Sequence, residues 1–446
     1  VTRRDLPDAQ GPLLGWLGAV SMLGLYVRLV PIGSYSVTIG GVAAALVLLV
    51  SLREVRLSLL PLAIAAVLLL SPLLVFQGAA LLDAELLPPT SEFFQSYGLW
   101  AGSVVLITLA FVSERPVRVP GAFALSLAVL AVAAAQWLVA GLAGSLAGFE
   151  AVAPLLGIDL AHGYLRMEPG WGVRAIGLYY EPSMCGRVLG TLAFIDFLQS
   201  RRPGRTVAVL LAAVLLTESL ALLVLAAAIG LLLLGRSARE GIALASLGLL
   251  VFALQGTAIE QRLRNDSRVQ AESSSYRRTI TPLTPLTQTI ADNPVGVPIG
   301  ANELVAQTTG YATRTGEPKI TNGVYEFLLY FGVIGVAGLA AGLVAVGALA
   351  LSGRRELAAA LLYLLLSTAL SGSFLAIESS LLTYYFVVAC LAAQRRGVAP
   401  VAQALWEAPI RRQAWGLPAE GEAKVRPRRQ QSPDRSGGRG RGAPVR

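Results

Sequence analysis

Long apolar runs, separated by short basic or turn-forming segments, follow one another along most of the chain; residues 37–50, 59–75 and 207–234 are examples. Alone or paired, these runs are long enough to cross a hydrocarbon layer of about 30 Å. They lack the two-residue alternation of strands in a lipid-embedded barrel. The expected fold is therefore all-α, a polytopic integral membrane protein. Twelve spans are predicted, near residues 12–28, 33–51, 57–76, 97–112, 120–142, 182–199, 206–216, 219–234, 241–256, 324–351, 357–374 and 380–394.

The polar segments set the orientation. Basic clusters stand at Arg3-Arg4, Arg53–Arg56, Arg115–Arg118, Arg201–Arg205, Arg236–Arg239, Arg354-Arg355 and Arg395-Arg396. Short loops rich in Arg and Lys stay in the cytoplasm, so both termini are expected inside and the number of spans even. The run 206–234 tests this: as one helix it would put Arg236 and Arg239 on the wrong side. Two short spans meeting at Thr217-Glu218-Ser219 keep every basic loop inside, and a polar break at that depth must face a protein-lined or watery cavity. Three outer segments then remain, 77–96, 143–180 and 257–323. The last is too long for a passive connection.

Composition agrees with the pattern. Of 446 residues, 55% are hydrophobic and 14% charged, where a soluble protein carries about a quarter charged residues. The net charge of +9 sits in loops and in the tail, which speaks for topology signals and against nucleic acid as a partner. Cys185 and Cys390 both lie in apolar runs and read as packing residues. The first apolar run leads into further spans, so no cleavable signal is expected. Residues 1–396 form the predicted transmembrane domain. Residues 397–446, basic and rich in Pro, Gly and Arg, read as a disordered cytoplasmic tail.

The chemistry that is missing narrows the choice. The chain has no phosphate-loop motif, no His-Glu-x-x-His and a single histidine, His162, read as a surface residue. No metal and no cofactor are expected. What stands out is Arg174-Ala-Ile-Gly-Leu-Tyr-Tyr-Glu181-Pro182-Ser183 at the mouth of the sixth span, because ionisable groups at membrane depth mark substrate paths. Arg262, Arg264 and Arg268 lead into Ser273-Ser274-Ser275-Tyr276-Arg277-Arg278 in the large outer loop. Arginine forks pair well with phosphate, so these residues suit a ligand with a polyprenyl tail and a diphosphate head. Pairing with lipid headgroups or with the loop's own carboxylates explains them equally well.

Asn293-Pro294-Val295-Gly296-Val297-Pro298-Ile299-Gly300 is a turn-forming stretch. Asn322 and Glu326 enter the tenth span, where Phe331-Gly332-Val333-Ile334-Gly335 offers a small-residue packing face. Taken in order, Arg174 with Glu181-Pro182-Ser183, Thr217-Glu218-Ser219, Ser275 with Arg277 or Arg278, Asn293-Pro294 through Gly296 and Gly300, then Asn322 with Gly332 and Gly335 resemble the Wzy-type polysaccharide polymerase and O-antigen ligase superfamily. The matching stretch covers roughly residues 174–335. Thr321 stands where the ligases carry a histidine, and Leu220 stands where the hairpin motif often carries an arginine. The first departure favours a polymerase, closest in kind to exopolysaccharide polymerases such as that of the xanthan pathway.

The resemblance implies a metal-independent glycosyltransferase of the GT-C type at the periplasmic face of the bacterial inner membrane. Its donor would be an undecaprenyl-diphosphate-linked oligosaccharide, and a chain-length regulator would be a possible protein partner beside membrane lipid. Arg278 (or Arg277) and Arg174 would stabilise the leaving diphosphate, and Glu181 would orient the acceptor or take its proton. Arg262, Arg264, Glu218, Ser219, Asn322 and Glu326 would bind substrate. Trp171, Tyr179 and Tyr180 are candidates to stack on sugar rings. The rival expectations are an O-antigen-type ligase with a different base and a flippase for the same lipid-linked unit.

Overall fold

The computed structural model describes residues 12–143, 167–168, 172–235, 242 and 280–397, less 33–34, 56–57, 83, 115, 180, 371–372 and 374. The described chain is mostly helical, with two small antiparallel strand pairs. In chain order the helices are α1 (Pro12–Leu23), α2 (Ile39–Ser51), α3 (Leu59–Leu81), α4 (Thr90–Val112), α5 (Ala122–Ala143), α6 (Pro182–Ser200), α7 (Pro203–Thr217) and α8 (Leu220–Leu233). Within residues 257–323 come α9 (Leu283–Asp292), α10 (Asn302–Thr308) and α11 (Tyr311–Thr315), and then α12 (Gly323–Leu351), α13 (Arg355–Leu370) and α14 (Ile377–Gly397). Five of these, α3, α4, α5, α12 and α14, are long and apolar enough to cross a membrane.

Burial follows the pattern of apolar residues. Helix α3 is apolar all round and leaves Leu60, Ile64, Val67, Leu70 and Leu74 exposed, as a helix facing lipid does. Helices α6 and α14 are the reverse. From Met184 to Leu198 every residue of α6 is buried, and most of α14 is buried as well. Helix α6 packs against α5, α7, α8 and α14, and α14 also packs against α2, α4 and α13. Close approach to α8 is possible because α6 carries Gly186 and Gly190: a Cβ at Gly186 would come within 2.8 Å of Ser219, and one at Gly190 within 2.8 Å of Leu222. Small residues four apart are a common device for packing membrane helices tightly.

A second apolar cluster lies over α3 and the first half of α4. It joins Phe93, Trp100 and Val104 to Leu286, Val297, Ile299, Val305 and Tyr311 of the outer segment and to Leu329, Tyr330 and Phe331 of α12. The segment that holds α9 to α11 therefore packs into a core it shares with α3, α4 and α12.

Several expected boundaries shift. Residues at the junction of the first two predicted spans leave the helix and form an antiparallel ribbon, β1 (Arg28–Ile32) with β2 (Tyr35–Thr38). Val30, Val37 and Thr38 are β-branched and suit that ribbon. Helix α4 begins at Thr90 and α3 runs to Leu81, so the first outer connection is much shorter than 77–96. The run 206–234 is two helices, as the charge pattern required: α7 ends at Thr217, Glu218 turns the chain with φ 47° and Ser219 caps α8. The predicted ninth span, 241–256, and the tail beyond Gly397 lie outside the described residues.

The basic clusters that are described gather at one end. Arg201 pairs with Glu356 at 3.2 Å, Arg205 with Asp196 at 3.3 Å, and Arg355 donates to the Gly235 carbonyl at 2.9 Å. This joins the end of α6 and the start of α7 to the end of α8 and the start of α13. Arg205 also lies 3.7 Å above the Phe123 ring at the start of α5. The opposite end of the bundle holds the acidic and hydroxyl residues described next.

Candidate functional site

The segment leading into α6 is fixed before the helix begins. Arg174 donates from Nε to the Thr217 carbonyl at 3.3 Å and from a terminal nitrogen to the Glu218 carbonyl at 3.4 Å. The Ala175 amide donates to the Leu216 carbonyl at 2.9 Å. Gln136 of α5 grips the next turn, accepting from the Ile176 and Gly177 amides at 3.2 and 2.8 Å and donating to the Gly177 carbonyl at 2.7 Å. Gly177 has φ 62°, a conformation natural only to glycine. These contacts consume backbone groups that a helix end leaves without partners.

Glu181 then occupies the N-cap of α6. It precedes a proline, which pushes it into the extended region, and Pro182 takes the first helical turn, where its missing N–H costs nothing. The carboxylate accepts a hydrogen bond from the Ser183 hydroxyl at 2.7 Å and is 8% exposed. A carboxylate held at a helix N-terminus is favoured by the positive end of the helix dipole.

Arg174 and Glu181, which stand out together in the sequence, have different hydrogen-bond partners among those described. The hydrogen bonds of Arg174 run to the break between α7 and α8, while Glu181 turns onto its own helix. The two residues mark opposite ends of one fixed segment. Glu218 supplies a carbonyl to Arg174, and Ser219 is fully buried, its hydroxyl accepting from the Leu222 amide at 3.2 Å. Tyr179 is also fully buried, so it does not offer a ring to a sugar. Burial pushes its phenol well above the ordinary value; it stays neutral and donates to the Met22 carbonyl at 3.0 Å, with its ring edge-on to Tyr26.

Glu326 and Asn322 belong to the start of α12. Asn322 caps the helix, accepting from the Val324 and Tyr325 amides at 2.9 and 3.3 Å. Glu326, 5% exposed, accepts from Asn302 of α10 at 3.2 Å and from Ser373, between α13 and α14, at 2.6 Å. Asn302 itself exchanges hydrogen bonds with the backbone of Ile320, both at 2.9 Å. A buried carboxylate thus ties the outer segment to the link between α13 and α14.

Gly332, expected in a helix-packing face, serves a backbone docking site instead. Gly332 breaks the helix with φ 51° and ψ −135°, which frees backbone groups on either side. The Val333 amide donates to the Pro294 carbonyl and the Val297 amide to the Leu329 carbonyl, each at 2.9 Å. The turn around Gly296 therefore plugs into the break.

Some residues in this layer went unremarked in the sequence. Arg187 of α6 is 2% exposed and donates to Ser379 of α14 at 3.1 Å, to Ser367 of α13 at 3.5 Å and to the Met184 sulfur at 3.6 Å. Glu378 of α14 accepts from Thr38 at 2.7 Å, linking the cap of α2 to the same layer. The Tyr26 phenol lies beside Ser379 and within electrostatic reach of Arg187, Glu378 and Glu181. The signal was available: an arginine inside an apolar run is rare enough to flag on its own. His162, Trp171, Tyr180, Arg262, Arg264, Arg268, Ser275, Arg277 and Arg278 lie outside the described residues.

The site is thus a layer where helix ends meet: the starts of α2, α6, α8, α12 and α14 and the end of α13. Among the described residues, carboxylates, several hydroxyls and the guanidinium groups of Arg174 and Arg187 gather there. No curated protein matches the chain. A family model described as WcaD colanic acid polymerase matches residues 13–392, which takes in every helix of the bundle and the whole of the polar layer. The chain therefore belongs to the WcaD colanic acid polymerase family, in keeping with the Wzy-type resemblance of its motifs.

Proposed function

We propose that this chain polymerises undecaprenyl-diphosphate-linked oligosaccharide repeat units into an exopolysaccharide, at the periplasmic face of the bacterial inner membrane. Membership of a polymerase family supports a glycosyltransferase-type polymerase in polysaccharide synthesis. The lipid carrier, the face of the membrane and independence from metal are the finer parts of the proposal.

The observation that carries it is the position of Glu181. A buried carboxylate at the mouth of the most enclosed helix has Ser183 as its hydrogen-bond donor, at the end of the bundle remote from the basic clusters. By the positive-inside rule those clusters face the cytoplasm, which puts Glu181 on the outer side, where a flipped lipid-linked glycan resides. Glu181 takes the proton from the acceptor hydroxyl, or orients that hydroxyl, as it attacks the anomeric carbon of the donor glycan. The bond from that carbon to the diphosphate breaks, and undecaprenyl diphosphate leaves with the electron pair. Arg174, Arg277 and Arg278 stabilise the charge developing on the phosphate, and Arg262 and Arg264 hold the head group. Glu218 and Asn322, both half-buried, line the approach of the sugars, and the buried Ser219 and Glu326 hold the helix ends behind them. A chain-length regulator is the protein partner proposed for it in the membrane.

The test is direct. Purified full-length protein in detergent is incubated with the lipid-linked repeat unit, without ATP and with a chelator, and the products are separated on a gel. A ladder in steps of one repeat unit is the expected result. Movement of the intact unit across liposomes with no ladder would instead make the protein a flippase.

A further inference from the structure

The guanidinium of Arg187 is the charged group that the polymerisation scheme leaves without a task, and its surroundings are unusual. It is enclosed by α6, α13 and α14, yet among the described residues it meets no carboxylate within ion-pair distance. Its hydrogen-bond acceptors are the hydroxyls of Ser379 and Ser367 and the sulfur of Met184. A guanidinium has five N–H donors in a planar fork, and here only the contact to Ser379, at 3.1 Å, is short. A buried cation with neutral, partly loose partners is destabilising unless something anionic compensates it.

The level of the group in the bundle matters as much. Side chains on a helix lean toward its N-terminus, and the contact with Met184 puts the guanidinium beside the first turn of α6. Ser183 lies one turn before Arg187 on the same helical face and donates to Glu181. Ser367 belongs to the last turn of α13 and Ser379 to the first turn of α14. The fork therefore lies in the same layer as Glu181, at the helix ends, and not in mid-membrane. Thr383 donates to Ser367 at 2.9 Å and Thr191 shares a 2.6 Å hydrogen bond with Tyr363, so the polar lining continues below.

From this placement we infer that Arg187, with the hydroxyls of Ser367 and Ser379, binds a phosphate group of the lipid-linked donor in the same layer as Glu181. The inference rests on the polymerase reading and adds a residue to it. Exchange of the long contacts to Ser367 and Met184 for phosphate oxygens would turn weak hydrogen bonds into charge-assisted, bidentate ones. The hydroxyls can rotate to donate to the same oxygens. Arginine suits this better than lysine because it stays charged when enclosed.

The experiment measures binding, separately from turnover. Full-length protein in nanodiscs of neutral lipid is titrated with undecaprenyl diphosphate, and separately with phosphatidylglycerol, for the wild type, Arg187→Met and Arg187→Lys. The Met variant should lose at least tenfold in affinity for undecaprenyl diphosphate, and the Lys variant should recover much of it. The ligand-free Met variant should melt no lower than the wild type, since it buries an apolar chain in place of a charge. Unchanged affinity in the Met variant, or an equal fall in melting temperature for Met and Lys with affinity intact, would make Arg187 structural and overturn the inference. Loss of phosphatidylglycerol binding alone would assign the site to a bulk lipid headgroup and overturn it too. If the wild type binds undecaprenyl diphosphate through Arg187 yet makes no ladder, the polymerase reading fails while the phosphate site stands.

Discussion

Gly296 and Gly332 lock two distant backbones together. Each has positive φ, and a Cβ on Gly332 would run into the Pro294 carbonyl while one on Gly296 would run into that of Tyr330. Two backbone hydrogen bonds of 2.9 Å cross the junction. The outer segment is thereby held to the break in α12, close to Glu326.

Gly332→Ala should therefore act on more than local strain. The residue's φ/ψ costs an alanine about 1–3 kcal/mol, and the clash forces the turn out of the break. The expected outcome is a melting temperature lowered by several degrees together with loss of polymer. Cys185 and Cys390 are free and buried, so a thiol-reactive dye reports unfolding directly. A Gly332→Ala protein with wild-type melting and wild-type product would show that the junction does not hold the outer segment.

Glu326 offers a test of buried satisfaction. Glu326→Ala removes the acceptor of both Asn302 and Ser373; orphaning the buried Asn302 donor costs about 1–3 kcal/mol, and the half-buried Ser373 hydroxyl adds less. Glu326→Gln retains one acceptor oxygen and should lose roughly half as much. Equal melting curves for Ala and Gln would contradict the assignment of these two hydrogen bonds.

Arg174 holds the helix break through hydrogen bonds to the Thr217 and Glu218 carbonyls, so Arg174→Ala should lower stability by about 1–3 kcal/mol. Its proposed contact with the donor phosphate predicts a much larger effect on turnover, tenfold or more. A variant whose activity falls no further than its folded fraction would restrict Arg174 to a structural role.

Arg278→Ala should abolish the product ladder and Arg277→Ala should weaken it, with the loss appearing mainly as a lowered kcat, since both are proposed to act on charge that develops in the transition state. A fully active Arg278→Ala protein would remove that residue from the scheme.

Much of this architecture was legible in the sequence, and the reasons are local. The break at Thr217-Glu218-Ser219 followed from the bookkeeping of basic loops, because Arg236 and Arg239 had to stay on the side of Arg201 to Arg205. Glu181 was legible because Pro182 fixes the start of a helix and a carboxylate there is conspicuous. The β1–β2 ribbon was missed because a short β-branched stretch between two apolar helices has the composition of either state. Arg187 was missed because its partners, Ser367 and Ser379, are some 180 residues away, a distance across which a single sequence carries no pairing signal. The glycines of α12 were visible, but their partner was not: only the fold brings Pro294 and Gly296 against Gly332. The hydrogen bond from Asn302 to Glu326 was invisible for the same reason: Glu326 stood out as a polar position, but nothing in the sequence pointed to Asn302 as its partner.

The central claim is that the reaction takes place at the helix-end layer headed by Glu181. The most direct measurement is ladder formation by Glu181→Gln, a change that preserves size and hydrogen-bonding capacity and removes the charge. The account predicts a variant that melts within a few degrees of the wild type, still binds the lipid-linked repeat unit, and polymerises at least a hundredfold more slowly. A Glu181→Gln protein that produces the full ladder at the wild-type rate would contradict it.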